Sequence, residues 1–123
     1  MRRIDANIAL RYLLDDHPEL SARAAQIFDA ETVFVSTEVF CEVVYVLAGV
    51  YNVPREEIRD TLSRFAAYPT VNLLEHDVIV HALETYAVKK IDFVDTLLLA
   101  HHALNGDRIE TFDNQLNKLL GNK

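Results

Sequence analysis

Short runs of β-branched and apolar residues alternate with longer segments of helical periodicity, and this alternation restricts the possible folds more than any other feature. The sequence predicts strands at 1–4, 32–36, 71–73 and 108–111. Pro18 and Pro54 lie where a first helical turn tolerates proline, and Gly106 lies where a helix ends. Strands that alternate with helices predict an α/β fold, in which a mostly parallel four-stranded sheet lies between two helical layers.

Four acidic residues occupy related places in this alternation. Asp5 follows the first predicted strand, and Asp113 follows the fourth. Glu42 lies in the helix after the second strand, and Asp95 starts the helix that leads into the fourth. Apolar residues surround Glu42 in sequence, so we expect little solvent-facing surface there. Right-handed crossovers place the loops after parallel strands along one edge, where open α/β sheets bind their ligands. We therefore expect the four carboxylates to converge at that edge.

The segment from Asp92 to Leu104 places two carboxylates at the start of one of the most apolar helices of the chain. Apolar residues follow Asp95 at helical spacing, and a carboxylate is costly to bury on such a face unless a cation meets it. Asp92 or Asp95 could instead simply cap the helix, where the backbone N–H groups and the macrodipole favour a negative charge. Both interpretations remain open, as they do for Asp5 and Asp113.

Carboxylates that converge repel one another, which raises the pKa of some of them unless a cation is bound. A set of oxygen ligands without His or Cys suits Mg²⁺ or Mn²⁺ better than Zn²⁺. Such an ion can activate water and neutralise charge on a phosphodiester. The sequence therefore favours metal-assisted chemistry on a phosphate-containing substrate.

The composition is that of an ordinary globular protein, and we expect a single domain over residues 1–123. The net charge of −7 argues weakly against a nucleic-acid partner, since phosphate contacts rely on Lys and Arg, but acids gathered around a metal remain compatible with one. No apolar run approaches the roughly 18 residues of a membrane span, so no membrane association is expected. Cys41 is the only cysteine, which fits a reducing cytoplasm.

Four short motifs occur in a characteristic order. They are D-A-N at Asp5–Asn7, the Ser36–Glu42 spacing, D-T-L-L-L-A at Asp95–Ala100 and T-x-D at Thr111–Asp113. With these motifs the chain resembles the PIN domain over nearly its whole length. The compact size and the D-x-N-x-x-x-R opening, which ends at Arg11, are most similar to VapC-type toxins of prokaryotic toxin–antitoxin pairs. The resemblance implies a Mg²⁺- or Mn²⁺-dependent endoribonuclease that hydrolyses RNA, forms a homodimer and is inhibited by a cognate antitoxin protein.

The resemblance also assigns roles to individual residues. The catalytic, metal-binding acids would be Asp5, Glu42, Asp95 and Asp113. The polar groups that orient these acids would be Asn7, Ser36, Thr111 and Asp92. Asp92 also offers an alternative register for the third acid, but the Thr96–Ala100 sequence after Asp95 fits the family pattern better.

Three further points remain open in the sequence. Arg11 could contact an RNA phosphate, or it could pair with Asp15 four residues later. Part of the Val43–Val50 run could be an exposed apolar patch for self-association or antitoxin docking. The family's fifth strand has no clear counterpart before Lys123, so the sheet has four strands or five.

Other functions are conceivable for an acid cluster on an α/β frame. A haloacid-dehalogenase-type phosphatase would need D-x-D where this chain has Asp5–Asn7, and a phosphotransfer receiver domain would need an Asp where it has Leu73–Leu74. A PIN-like module that binds RNA or protein without catalysis is the remaining alternative.

Overall fold

The computed structural model describes residues 1–122, in which three short strands form one parallel sheet. The strands are β1 (Arg2–Arg3), β2 (Val33–Phe34) and β3 (Val71–Asn72). Their order is β1-β2-β3, and Val33 is in register with Arg2 on one side and Val71 on the other. The α/β class and the parallel sheet, which the alternation of elements predicts, are confirmed.

Seven helices connect and follow these strands within residues 1–122. They are α1 (Ala6–Leu14), α2 (Pro18–Ala30), α3 (Thr37–Gly49), α4 (Arg55–Ala66), α5 (His76–Val88), α6 (Phe93–Asn105) and α7 (Asn114–Leu120). Local sequence signals account for several of their ends: Pro18 opens α2, and Gly106 ends α6 in the left-handed conformation at φ 72°. None of these helices is both long enough and apolar enough to cross a membrane.

Buried aromatic rings dominate the core around the start of α6. The buried aromatic residues are Phe28, Phe40, Phe65, Tyr86 and Phe93. The ring of Phe93, the first residue of α6, lies 6.2 Å from Phe40 of α3 and 5.7 Å from Tyr86 of α5, measured between centroids. Pairs at such separations contribute about 0.5–1.5 kcal/mol beyond the burial of apolar area. Phe93 therefore anchors the start of α6, with its two acidic residues, between α3 and α5.

The predicted fourth strand is not formed. Residues 106–113 connect α6 to α7 without a strand, so the sheet has three strands rather than four, and residues 1–122 contain no fifth. Ile109 is the only apolar residue of the 108–111 segment and is only half-buried, and the neighbouring Phe112 is fully exposed. A segment that buries so little apolar surface gains little to offset the conformational entropy lost on ordering. The prediction was wrong because it rested on residue types that favour strands, without an apolar face to pack.

Candidate active site

Asp95 lies among other carboxylates at the start of α6. It belongs to the first turn of the helix, and its side chain is half-buried. Burial is the largest cause of its raised pKa, and the negative charges of Asp92 and Asp113 raise that pKa further. Carboxylates from two separate segments of the chain, 92–95 and 113, therefore share one electrostatic environment.

Asp92 occupies the N-cap position of α6, but its carboxylate does not cap the helix. Its Oδ2 atom instead accepts a 3.2 Å hydrogen bond from the hydroxyl of Tyr45 on α3. Burial and the charge of Glu38 raise the pKa of the Cys41 thiol, also on α3, and the charge of Asp92 adds to them. The Asp92 carboxylate is thus turned toward α3, and helix capping does not describe its role.

Asp113 approaches Asp95 although the strand expected to precede it is absent. Its carboxylate caps α7 by accepting a 2.7 Å bond from the N–H of Leu116, a buried residue of a helix that packs against α6. Thr111 Oγ1 accepts a 3.1 Å bond from the Asp113 N–H, and the Thr111 carbonyl accepts a 3.0 Å bond from Asn117 Nδ2. Helix packing and these turn bonds, rather than a sheet edge, position Asp113.

Asp5 follows β1 and caps α1. Its Oδ1 atom accepts a 3.0 Å bond from the Ile8 N–H, and its side chain is exposed. Ser36 caps α3 in the same way, with a 3.2 Å bond to its hydroxyl oxygen from the helix backbone. Asn7 is exposed, and its Oδ1 atom accepts a long 3.4 Å bond from Arg11 Nε. The capping interaction occupies one of the two carboxylate oxygens of Asp5.

Arg11 pairs with Asp16 and not with Asp15, the partner that helical spacing offered. The Arg11 Nη1 atom lies 2.8 Å from Asp16 Oδ1, and its Nη2 atom donates a 3.5 Å bond to the Tyr51 hydroxyl. Asp15 adopts the left-handed conformation at φ 48° and ends α1, so it no longer continues the helical face of Arg11. Asp16 therefore pairs with Arg11 in place of Asp15, the expected partner.

Glu42 is exposed, although the apolar residues around it led us to expect little solvent-facing surface there. The buried residues of α3 are Phe40, Val43, Val44 and Leu47. Glu42 and Tyr45 are both exposed and are three residues apart, so they lie on a common outer face of α3. The mostly apolar sequence of Val43–Val50 gave no indication of this solvent-facing side of α3.

The described residues contain no group of three or more His, Cys, Asp and Glu side chains already arranged to hold a metal ion. Asp92 and Asp113 come close enough to Asp95 to affect its pKa, and Asp5, at the start of α1, and Glu42, on α3, have exposed side chains like theirs. The donor atoms are carboxylate oxygens, which suit a hard divalent cation, and such an ion would relieve their repulsion. The residues therefore fit the ion chemically, and a ligand set of three or more requires side-chain movement.

A second polar cluster, which was not expected from the sequence, links the starts of α3 and α5 to the end of α6. Thr37 Oγ1 donates a 2.8 Å bond to Glu75 Oε1, and His101 Nε2 lies 3.3 Å from the other oxygen of that carboxylate. His101 Nδ1 lies 3.8 Å from Asp107 Oδ2. Because these residues come from three separate segments of the chain, around 37, 75 and 101–107, no motif or spacing could have revealed the cluster. The bond from Tyr45 to Asp92 was missed for the same reason.

Comparison with protein families gives a match to the PIN domain over residues 3–121. No curated protein and no solved structure matches the chain. The matched region contains all four predicted acids, strands β2 and β3, the second residue of β1 and the helices described above. The chain therefore belongs to the PIN domain family.

Proposed function

We propose that this PIN domain is a Mg²⁺- or Mn²⁺-dependent endoribonuclease. PIN domains are generally nucleases and usually use divalent metal ions such as Mg²⁺, which supports phosphodiester hydrolysis as the class of reaction. The observation that carries the proposal is the half-buried Asp95, whose pKa is raised by burial and by the charges of Asp92 and Asp113. A hard cation would relieve this excess of negative charge.

In this proposal the acids bind the ion, and the polar residues around them hold the acids in place. The residues that would bind it are Asp5, Glu42, Asp95 and Asp113. When bound, the ion supplies water activation and stabilises negative charge on the phosphodiester. Thr111 fixes the turn that carries Asp113. Arg11 can contact a substrate phosphate only by leaving Asp16.

An RNA cleavage assay with Mg²⁺, Mn²⁺ or EDTA tests this proposal. We expect the wild-type protein to cleave RNA only with a divalent ion, and Asp5→Asn and Asp95→Asn to lose activity by about 100-fold or more. Glu57→Gln, which neutralises an exposed acid of α4, is the control for general charge effects and for contaminating ribonuclease. Full activity in both aspartate variants would refute the proposal.

We further propose that the protein is the toxin of a toxin–antitoxin pair, with a second copy of the chain and an antitoxin as partners in a reducing cytoplasm. Apolar residues on and after α3 support protein contacts: Tyr45 is 44%, Val50 68% and Tyr51 38% exposed. The unpaired thiol of Cys41 is consistent with such a compartment.

Expression of the chain alone in bacteria tests the toxin proposal. Growth should stop, and it should resume when Asp95→Asn replaces the wild-type protein or when a small protein encoded next to the gene is co-expressed and co-purifies. Light scattering of the purified chain should give the mass of a dimer. Normal growth in the presence of folded wild-type protein would contradict the toxin role. It would not affect the nuclease proposal, which the cleavage assay tests separately.

A second candidate is a PIN module that binds RNA or protein without catalysis. The observation that favours it is that Asp5 and Glu42 lie exposed, with Asp5 already serving as a helix cap. Calorimetry with Mn²⁺ separates the two candidates. A nuclease should bind the ion and lose affinity in Asp95→Asn, whereas a module of the second kind should bind RNA equally well with and without Mn²⁺.

A further inference from the structure

The Tyr45 hydroxyl joins two helices that carry proposed metal-binding acids. Tyr45 lies on α3, three residues after Glu42, so the two side chains project from neighbouring positions on one helix face. Its hydroxyl donates a 3.2 Å bond to Asp92 Oδ2 at the start of α6. Burial and the charge of Asp92 raise the pKa of Tyr45. The hydroxyl is therefore bonded to an acid at the amino end of α6.

This bond holds the Asp92 carboxylate away from the capping position. Aspartate is a favoured N-cap residue, yet the Asp92 carboxylate accepts no bond from the first turn of α6. It accepts a hydrogen bond from the Tyr45 hydroxyl instead. The Asp92 carboxylate is thereby held on the α3 side of the helix, where its charge acts on Asp95.

We propose that Tyr45 is a positioning residue, whose hydroxyl holds Asp92 beside Asp95 and so sets the affinity of the acids around Asp95 for a divalent cation. The inference rests on the proposed function, because it takes these acids to be the cation site. Tyr45 acts through Asp92 and does not itself contact the ion. Without the hydroxyl, Asp92 is free to turn back and cap α6, which moves a negative charge away from Asp95.

Tyr45→Phe removes the hydroxyl and keeps the ring, which is 44% exposed, so the variant should fold. Tyr68→Phe is a matched control. The Tyr68 hydroxyl donates a 2.9 Å bond to Asp29 Oδ1, a bond of the same kind between a residue just before β3 and a residue of α2. Calorimetry should show Mn²⁺ affinity about tenfold weaker in Tyr45→Phe and unchanged in Tyr68→Phe. Both variants should lose a similar, small amount of thermal stability.

RNA cleavage provides a readout that a merely structural role of Tyr45 would not change. At limiting Mn²⁺, Tyr45→Phe should have a reduced kcat with an unchanged KM for RNA, and high Mn²⁺ should restore the wild-type kcat. Equal Mn²⁺ affinity in Tyr45→Phe and wild type would overturn the inference while leaving the nuclease proposal intact. If the wild-type protein itself binds no Mn²⁺ and cleaves no RNA, it is the proposed function that fails.

Discussion

Asp95 ionises in surroundings that oppose its ionisation. Burial, Asp92 and Asp113 all raise its pKa, so the folded protein holds the Asp95 proton more tightly than the unfolded chain does. By linkage, stability then falls as pH rises from the ordinary aspartate pKa through the raised one, and the cost persists at neutral pH. A residue that lowers stability in this way, next to further acids, is typical of a functional site.

Asp95→Asn should therefore stabilise the metal-free protein. At pH 7 we expect the Tm to rise by about 1–3 °C, a modest gain because solvent screens a partly exposed group. Below the ordinary pKa of aspartate the gain should vanish, because the wild-type carboxyl is then protonated in both the folded and the unfolded state. Calorimetric scans at both pH values, with Glu57→Gln as control, measure the difference. A lower Tm for Asp95→Asn at pH 7 would contradict the electrostatic account.

Two substitutions at Asp5 separate its capping role from its proposed metal-binding role. Asp5→Ala removes the bond from the Ile8 N–H and should lower the free energy of unfolding by about 1 kcal/mol, whereas Asp5→Asn should change it by only a few tenths, since Asn caps as well as Asp. Mn²⁺ affinity should fall in both variants. Denaturant unfolding measures the free energy of unfolding, and calorimetry measures the Mn²⁺ affinity. If Asp5→Asn binds Mn²⁺ as tightly as the wild type does, Asp5 acts only as a helix cap.

Single residues were hardest to predict where their environment depends on other segments. Asp5 and Asp113 could be recognised as caps because capping is local. The exposure of Glu42 depends on which face of α3 the sheet and the other helices cover. The apolar residues beside it in sequence wrongly indicated that little of its surroundings would face solvent. The partner of Asp92 is 47 positions away in sequence, a contact that no local pattern encodes.

Whole elements could be predicted where their signals are local. The bounds of α2, α3 and α6 follow the caps, Pro18 and Gly106 to within a residue or two. Strand pairing is a non-local property, because a segment joins a sheet only when a partner edge and an apolar face are both present. The 108–111 segment lacks the apolar face and forms no strand. Asp113 is instead positioned near Asp95 because α7, which it caps, packs against α6.

Two glycines on different helices should respond oppositely to alanine. Gly106 has φ 72°, a conformation that strains a residue with a Cβ atom, so Gly106→Ala should destabilise the protein by about 1 kcal/mol. Gly49 lies in the last turn of α3 without a positive φ, and a Cβ atom there would meet nothing within 4 Å. Gly49→Ala should therefore be neutral or stabilise by up to about 1 kcal/mol. Urea unfolding of both variants measures these effects, and changes of the same sign would contradict the account.

At the scale of the whole molecule, the α/β fold could be predicted from the sequence, because alternating elements were enough for the class and the parallel sheet. The convergence of all four acids at one sheet edge stays a prediction. The charges of Asp92 and Asp113 act on Asp95, and the packing of α7 on α6 positions Asp113. Side-chain placement depends on how helices pack, which the order of elements does not specify.

A divalent ion should stabilise the whole protein if the acids bind it. Mg²⁺ at about 100 times its dissociation constant should add about 2.7 kcal/mol to the free energy of unfolding, because it binds the folded state alone. The rise in Tm should be largely lost in Asp95→Asn. NaCl at matched ionic strength controls for general screening of the net charge of −7. An equal rise in Tm with NaCl and with Mg²⁺ would show that no specific site is present.

Without a fourth strand, the outer side of β1 has no strand beside it within residues 1–122. A bare strand edge is a template on which a neighbouring molecule can add its own backbone, the first step toward fibres and aggregates. Both residues of β1 are arginines. Arg2 is tied to the Ile27 carbonyl at 2.9 Å and to Glu31 at 3.3 Å, and the Arg3 guanidinium lies 4.5 Å from the centre of the Phe34 ring. These positive charges make the β1 edge a poor template for another strand, and apolar residues in their place would make this edge more prone to aggregate.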